Sequence, residues 1–84
     1  MSNEEFNRLS KEILDSSISV HKAMGPGLLE SIYVLCLIQE LRSRKIRVMT
    51  EVSIPLVYKS VELSKDFRID ILVENEIVIE VKSV

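Results

Sequence analysis

The stretch of sequence that decides the fold is FRIDILVENEIVIEVK, residues 67–82. Apolar and polar side chains alternate on both sides of a polar break at residues 74–76, a pattern typical of two strands joined as a hairpin. With the hairpin centred on Asn75, Ile71 faces Ile79 and one face of the pair is wholly apolar. A slip of one residue mixes the two faces, so this register is favoured.

The second face of this hairpin carries opposed carboxylates. The favoured register pairs Asp70 with Glu80 and Arg68 with Lys82. Like charges directly opposite each other destabilise a sheet, so the pair calls for a divalent metal, a neighbouring cation or a proton on one acid. From spacing alone, a solvated strand face neutralised by Arg68 and Lys82 is favoured, because exposed charge pairs on sheets are common.

Two helices are predicted before the strands. Residues 4–24 and a segment from about Leu28 to Arg44 have apolar side chains at helical spacing, separated by Gly25-Pro26-Gly27, which ends the first helix. From residue 46 the period changes to two, and Pro55 marks a bulge or an edge within a strand over 48–58, which Val61-Glu62-Leu63 extends as a hairpin. The predicted apolar stripes are Phe6, Leu9, Ile13, Val20 and Met24, widened by Leu14 and Ile18, and then Leu29, Ile32, Tyr33, Cys36, Leu37 and Leu41.

This order predicts an α+β fold in which two N-terminal helices pack on a three-stranded antiparallel meander. The chain has 84 residues, which allows one domain, and with 46% hydrophobic and 29% charged residues it is not of the disordered class. A single cysteine, Cys36, excludes an intrachain disulfide and a cysteine-based zinc site and predicts a cytoplasmic protein. No apolar run reaches the roughly 20 residues that span a bilayer. The net charge of −2 excludes a general electrostatic attraction to nucleic acid.

Several separated motifs occur in an order that resembles a known family. They are VHKAMGPGLLESIY at residues 20–33, Ile69-Asp70, and Glu80-Val81-Lys82. ELR at residues 40–42 and VYK at residues 57–59 resemble further positions of the same pattern. Together they resemble the GxxExxY family, a branch of the PD-(D/E)XK nuclease-like superfamily, which has an α/β-type core similar to that of restriction endonucleases.

The resemblance implies the residues of a catalytic site. Asp70 and Glu80 would ligate a divalent metal, Mg²⁺ or Mn²⁺, with the carbonyl of Val81 as a third protein ligand, and Glu30 would complete the acidic cluster. Lys82 would orient the attacking water or help to deprotonate it. Hard oxygen ligands suit Mg²⁺, and such a metal acidifies water and stabilises charge on a phosphodiester. The implied activity is therefore hydrolysis of DNA or RNA.

Other candidate residues have structural explanations of equal or greater weight. His21 and Arg68 are accessory candidates, and a surface or packing role explains His21 at least as well. Tyr33 fits a core position with its hydroxyl at the edge better than a substrate contact, and Cys36 fits a small apolar residue. A basic cluster is explained by helix capping and solubility before phosphate contact; it comprises Arg42, Arg44, Lys45 and Arg47.

The sequence departs from the family pattern at two places. Ser60 replaces the glycine of the "YKG" motif, and residue 84 follows directly after the E-x-K strand, where the family continues with a further helix and strand. We therefore expect residues 1–84 to form a single domain that is incomplete at its C-terminus, with an exposed edge at 77–82. Such an edge, or the helical face, predicts a homo-oligomer. The alternative to a nuclease is a catalytically inactive relic that serves as a small interaction or assembly module.

Overall fold

The computed structural model describes residues 1–82, which form two helices followed by a three-stranded antiparallel sheet. The helices are α1 (Asn3–Met24) and α2 (Glu30–Ser43), and the strands are β1 (Val48–Tyr58), β2 (Val61–Val73) and β3 (Ile77–Ile79). The strand order is β1-β2-β3, so β2 lies in the centre. The predicted α+β architecture is confirmed. Neither helix of residues 1–82 has the length and apolar character that crossing a bilayer requires.

Local signals place both ends of α1. The Ser2 hydroxyl accepts a hydrogen bond from the Glu5 N–H at 3.1 Å, which caps the N-terminus of α1. At the other end Gly25 has φ +78°, and its N–H donates to the His21 carbonyl at 2.9 Å. That left-handed conformation favours glycine and stops the helix. Helix α2 begins at Glu30, two residues later than predicted.

The hairpin of β1 and β2 contains a tight turn and a bulge. Lys59 and Ser60 form the two-residue turn that connects the strands. Their φ angles, +48° and +66°, are both positive, as in the type I′ turn that commonly closes a hairpin. Ser60 thus occupies, at a steric cost, a conformation that favours the glycine of the family pattern. The register shifts between Ile54 and Leu56, so Pro55 lies in a bulge, as the sequence predicts.

The register predicted for the hairpin of β2 and β3 is confirmed. Val73 pairs with Ile77 and Ile71 pairs with Ile79. Residues 74–76 form the turn, and the Glu76 N–H donates to the Val73 carbonyl at 3.0 Å. The apolar face of this hairpin therefore packs toward the helices, with Ile71 and Val73 fully buried.

Strand β3 is shorter than predicted, because it ends at Ile79 rather than at Lys82. The predicted backbone pairing of Asp70 with Glu80 therefore lies beyond the last ladder pair. The Val81 N–H donates instead to Asp70 Oδ2 at 3.1 Å. A carboxylate accepts a hydrogen bond more strongly than a neutral carbonyl does, so this side chain takes the donor that would have continued the strand.

The core lies between α2 and the central strand, with one residue of α1. Leu37 and Leu41 of α2 and Ile71 and Val73 of β2 are at most 1% exposed. Burial of each such side chain stabilises the fold by about 1.5–3 kcal/mol. The buried cluster consists of Leu9, Leu37, Ile38, Leu41, Ile46, Val48, Ile71 and Val73.

The predicted helical stripes are only partly buried. Leu9 and Val20 of α1 are buried, but the flanking apolar residues are exposed. Leu29 is 67% exposed because it precedes α2 in an extended conformation and so does not follow the helical period. Six residues of the predicted stripes are exposed: Phe6, Leu14, Ile18, Met24, Leu29 and Ile32.

Arg44 joins the two helices. Its guanidinium donates to Glu40 Oε2 at 2.9 Å, to Glu12 Oε2 at 3.2 Å and to the Ser19 hydroxyl at 3.2 Å. The hydrogen bond that Arg44 donates to Glu40, and then the one that it donates to Glu12, raise the pKa of Arg44 above its ordinary value. A basic residue predicted to cap α2 therefore also holds α1 against its C-terminal end.

Glu74 joins the turn after β2 to the segment that enters β1. The Arg47 N–H donates to Glu74 Oε1 at 3.0 Å, and Arg47 Nε donates to Oε2 at 3.2 Å. In return the Glu74 N–H donates to the Arg47 carbonyl at 2.9 Å. The backbone hydrogen bond from Arg47, followed by the side-chain bond, lowers the pKa of Glu74.

The first prediction concerns Ser16, which is 0% exposed and whose hydroxyl has no hydrogen-bond partner within the described residues. An unsatisfied buried hydroxyl costs about 1–3 kcal/mol, so Ser16→Ala should stabilise the protein by about 1 kcal/mol or more. In a thermal melt this corresponds to a rise of about 4–8 °C per kcal/mol for a domain of this size. Ser10→Ala on the same helix controls for the better helix propensity of alanine; an equal gain in that variant would contradict the prediction.

The second prediction follows from the lowered pKa of Glu74. A carboxylate whose pKa is lower in the folded state stabilises that state above its unfolded pKa, about 4.3, and this contribution is lost as the pH falls through the folded pKa. Glu74→Gln should therefore be less stable than wild type at neutral pH, by the roughly 0.2–1 kcal/mol of an exposed ion pair. The difference should vanish in strong acid. Urea titrations at several pH values measure this, with Glu62→Gln, at an exposed acid of the β1–β2 hairpin, as the matched control; an equal difference in that variant would contradict the prediction.

Candidate active site

An open cleft of about 670 Å³ lies between the first turns of α2, the middle of β2 and the residues that follow β3. All four side chains predicted to be catalytic line it: Glu30, Asp70, Glu80 and Lys82. The Val81 peptide, predicted as a metal ligand, lies there too. The remaining lining residues are Ser31, Val34, Phe67 and Arg68.

Asp70 is the half-buried acid of the cleft. It stands between Ile69 and Ile71 on β2, both of which are buried, so its backbone is fixed by the core. Its Oδ2 accepts the hydrogen bond from the Val81 N–H at 3.1 Å. This contact holds the segment after β3 against the cleft, and with it the exposed side chains of Glu80 and Lys82.

Glu30 reaches the cleft from the other layer of the fold. It is the first residue of α2, where the positive end of the helix dipole favours a carboxylate. It lines the main cleft and also a smaller neighbouring one of about 340 Å³, which Tyr33, Glu80 and Lys82 share. The cleft therefore combines acids from a helix, a central strand and the chain after β3.

The donor atoms of the cleft fit a hard divalent cation by their chemistry. Carboxylates of Glu30, Asp70 and Glu80 and the carbonyl of Val81 are oxygen ligands of the kind that Mg²⁺ and Mn²⁺ prefer. Within residues 1–82, however, no group of three or more His, Cys, Asp or Glu side chains is arranged closely enough to hold a metal ion. The acids line one cleft without forming a closed coordination sphere.

The accessory candidates lie at different distances from this arrangement. Arg68 is exposed and lines the main cleft, where it adds a second cation beside Lys82. Tyr33 is half-buried against the core, and its hydroxyl donates to the Ser17 carbonyl at 3.3 Å. His21 is exposed, and neither cleft as formed by residues 1–82 includes it. Cys36 is a free, partly buried cysteine.

Glu51 on β1 is an acid near the site that the sequence analysis did not single out. The ladder pairs Thr50 with Ile71 and Val52 with Ile69, so Glu51 stands across from Asp70, and its φ of +50° interrupts the strand there. Both acids line a groove beside α2. Extending the register from β2 to β1 would have indicated this neighbour.

Comparison with known families identifies the superfamily of this chain. A family model described as the PD-(D/E)XK nuclease superfamily matches residues 7–84. The chain belongs to the PD-(D/E)XK nuclease superfamily. The matched range contains every predicted site residue of this PD-(D/E)XK domain. No curated protein and no solved structure gives a match.

Membership of the PD-(D/E)XK superfamily supports a nuclease-like function in general. Nucleases of this superfamily generally use divalent metals, and nucleic acid is their general substrate. The two helices and the antiparallel sheet of this chain are consistent with a PD-(D/E)XK-like core.

Proposed function

We propose that this PD-(D/E)XK domain is a Mg²⁺-dependent phosphodiesterase of the GxxExxY branch that hydrolyses nucleic acid. The observation that supports it most is the convergence of Glu30, Asp70, Glu80 and Lys82 on one cleft from three separate segments. If these charges served only the solubility of the sheet, they would not be expected to share a cleft with Glu30, which lies about forty positions earlier in the sequence.

Each acid has a distinct part in the proposal. Asp70 and Glu80, with the carbonyl of Val81, hold Mg²⁺ or Mn²⁺, and Glu30 closes the site from α2. A cation bound there supplies positive charge against the phosphodiester and acidifies water. Asp70 keeps one carboxylate oxygen on the Val81 N–H, which orients the acid and fixes the backbone of Val81, the residue whose carbonyl is the further ligand.

The two cations of the cleft act on the substrate. Lys82 orients the attacking water or helps to remove its proton, and in its charged form it stabilises the negative charge that develops on the phosphate oxygens. Arg68 lies on the wall of the cleft formed by β2, where its guanidinium can donate two hydrogen bonds to a neighbouring phosphate. The oxygen of water forms a new bond to phosphorus while the bond between phosphorus and the sugar oxygen breaks; the proton of the attacking water passes to the solvent, and the leaving sugar oxygen takes a proton from the solvent.

A second candidate function is an inactive relic that serves as an interaction or assembly module. It is favoured by the absence, among residues 1–82, of a group of three acids arranged closely enough to hold a metal. The two functions make opposite predictions for metal binding. The predicted cytoplasmic location bears on neither and stays a prediction.

The third prediction tests metal binding. Mg²⁺ or Mn²⁺ should raise the melting temperature of the wild-type protein, because a ligand that binds only the folded state stabilises it, by about 2.7 kcal/mol at 100 times its dissociation constant. Asp70→Asn should lose most of this shift. Asp66→Asn, at an exposed acid of the same strand outside the cleft, is the matched control and should keep it. If wild type and Asp70→Asn respond equally to saturating metal, the assigned ligands are wrong.

The fourth prediction tests catalysis. Wild-type protein with Mn²⁺ should cleave at least one of single- or double-stranded DNA or RNA, and Lys82→Ala should be slower by about 10²-fold or more, the usual loss for a group that assists proton transfer. Lys65→Ala removes an exposed lysine of β2 outside the cleft and should leave the rate unchanged. Metal binding without cleavage of any of these substrates would favour the module.

A further inference from the structure

The distal half of the β1–β2 hairpin projects beyond the helices. We call residues 53–67 the ribbon; with the exception of half-buried Ser64, every residue in it is exposed. The core begins only at Ile69, which is 3% exposed. The ribbon is nevertheless rich in large apolar side chains, namely Ile54, Leu56, Val57, Tyr58, Val61, Leu63 and Phe67, which are 39–61% exposed.

The apolar area of the ribbon is large for a protein that stays alone in water. With full residue areas of roughly 150–200 Å² each, these residues expose about 600 Å² over both faces of the ribbon, and the face that carries Ile54, Leu56, Tyr58, Val61 and Phe67 exposes about 400 Å² of it. Monomers rarely expose contiguous apolar patches of more than a few hundred Å², whereas a standard interface buries about 800 Å² of apolar and polar surface on each partner. An isolated two-stranded hairpin is also only marginally stable. The ribbon therefore gains stability from being covered, and its apolar face is large enough for the centre of an interface.

The charges of the ribbon indicate what covers it. Lys59 and Lys65 are balanced by Glu62 and Asp66, so the ribbon has no net charge. A nucleic acid or an anionic membrane requires an excess of cations. In a contact related by a two-fold axis, the same patch meets itself, and a surface with equal numbers of both signs can pair cations of one copy with anions of the other. The balance of charge favours a second copy of this chain.

Strands β3 and β1 are protected against pairing with a strand of another molecule. Strand β3 has three residues, and β1 is interrupted by Glu51 at φ +50° and by Pro55. Short strands, irregular backbone and proline are the usual defences of sheet edges. Association by addition at the predicted C-terminal edge 77–82 is therefore disfavoured, and the apolar face of the ribbon is set against the helical face, the other predicted interface, by the variants below.

We propose that two copies of this protein associate ribbon against ribbon, through the exposed apolar side chains between Ile54 and Phe67. The contact is isologous and apolar at its centre, with the four charged side chains at its rim. Phe67 also lines the candidate active-site cleft, so the interface begins at the edge of that cleft. The proposal does not depend on catalysis, because no residue assigned to metal or water takes part.

Sedimentation velocity across the micromolar range tests the fifth prediction. Wild type should be dimeric, and the double variant Tyr58→Lys/Val61→Glu should be monomeric, with a dissociation constant raised at least about tenfold by the loss of two apolar contacts on the face that Ile54 and Phe67 share. Both sites are more than half exposed and pair with each other in the ladder, so the new lysine would face the new glutamate and the monomer should still fold. The matched control Leu14→Lys/Leu35→Glu introduces the same two charges at exposed helical sites and should remain dimeric.

Several results would overturn the proposal: a wild type that is monomeric throughout, a ribbon variant as associated as wild type, or a helical variant that dissociates equally. Association that needs co-purified nucleic acid and disappears at high salt would replace the second copy by nucleic acid. If circular dichroism shows the ribbon variant unfolded, amide hydrogen exchange of wild type decides. Amides of residues 53–67 should become more protected as the protein concentration rises, and unchanged exchange there would contradict the proposal.

Discussion

The alternation of side chains along β2 is the constraint on which both the core and the candidate site depend. Ile69, Ile71 and Val73 are all at most 3% exposed, so the register of this central strand cannot slip without turning three buried residues toward water. Asp70 lies between Ile69 and Ile71 in the sequence, so the burial of these two neighbours fixes the position of its backbone. The placement of an acid at the cleft is thus a consequence of apolar packing, and the Val81 N–H that it accepts brings the next segment to the same place.

The sequence alone predicts the parts of the fold that follow from periodicity. Pairing of Ile71 with Ile79 could be derived because the alternative register mixes the two faces. The end of β3 could not be derived from the sequence. It depends on whether the Val81 N–H bonds to a backbone carbonyl or to the Asp70 carboxylate, and only the three-dimensional structure shows which acceptor is used. Helical periodicity likewise indicates an apolar face, which includes Phe6, but not how much of that face a neighbouring element covers, and Phe6 is 51% exposed. Glu30 joins the acids of the sheet only through the tertiary fold; spacing explains it as a residue that complements the helix dipole, and the family pattern was needed to assign it to the site.

Helix α2 links the two ends of the molecule, and its orientation determines where Glu30 lies. The helix has 14 residues and is therefore about 20 Å long at 1.5 Å per residue. Its middle is held by Leu37 and Leu41 in the core, and its C-terminal end by the hydrogen bonds of Arg44 to Glu12 and Glu40. A small tilt of α2 about the core would move Glu30, at its first residue, much further than it would move the middle of the helix. The ion pairs of Arg44 at the C-terminal end therefore contribute to the position of Glu30 at the N-terminal end.

The exposed ribbon and the buried core are produced by the same alternation. Val52 pairs with Ile69, and two residues further along the strands Ile54 pairs with Phe67. Since residues two apart on a strand share a face, Ile54 and Phe67 continue the face that Ile69 buries. The helices do not extend over Ile54 and Phe67, so the sheet face stays apolar beyond the part that the helices cover. Another apolar surface is therefore needed to cover this part of the face, and the ribbon of a second copy provides one.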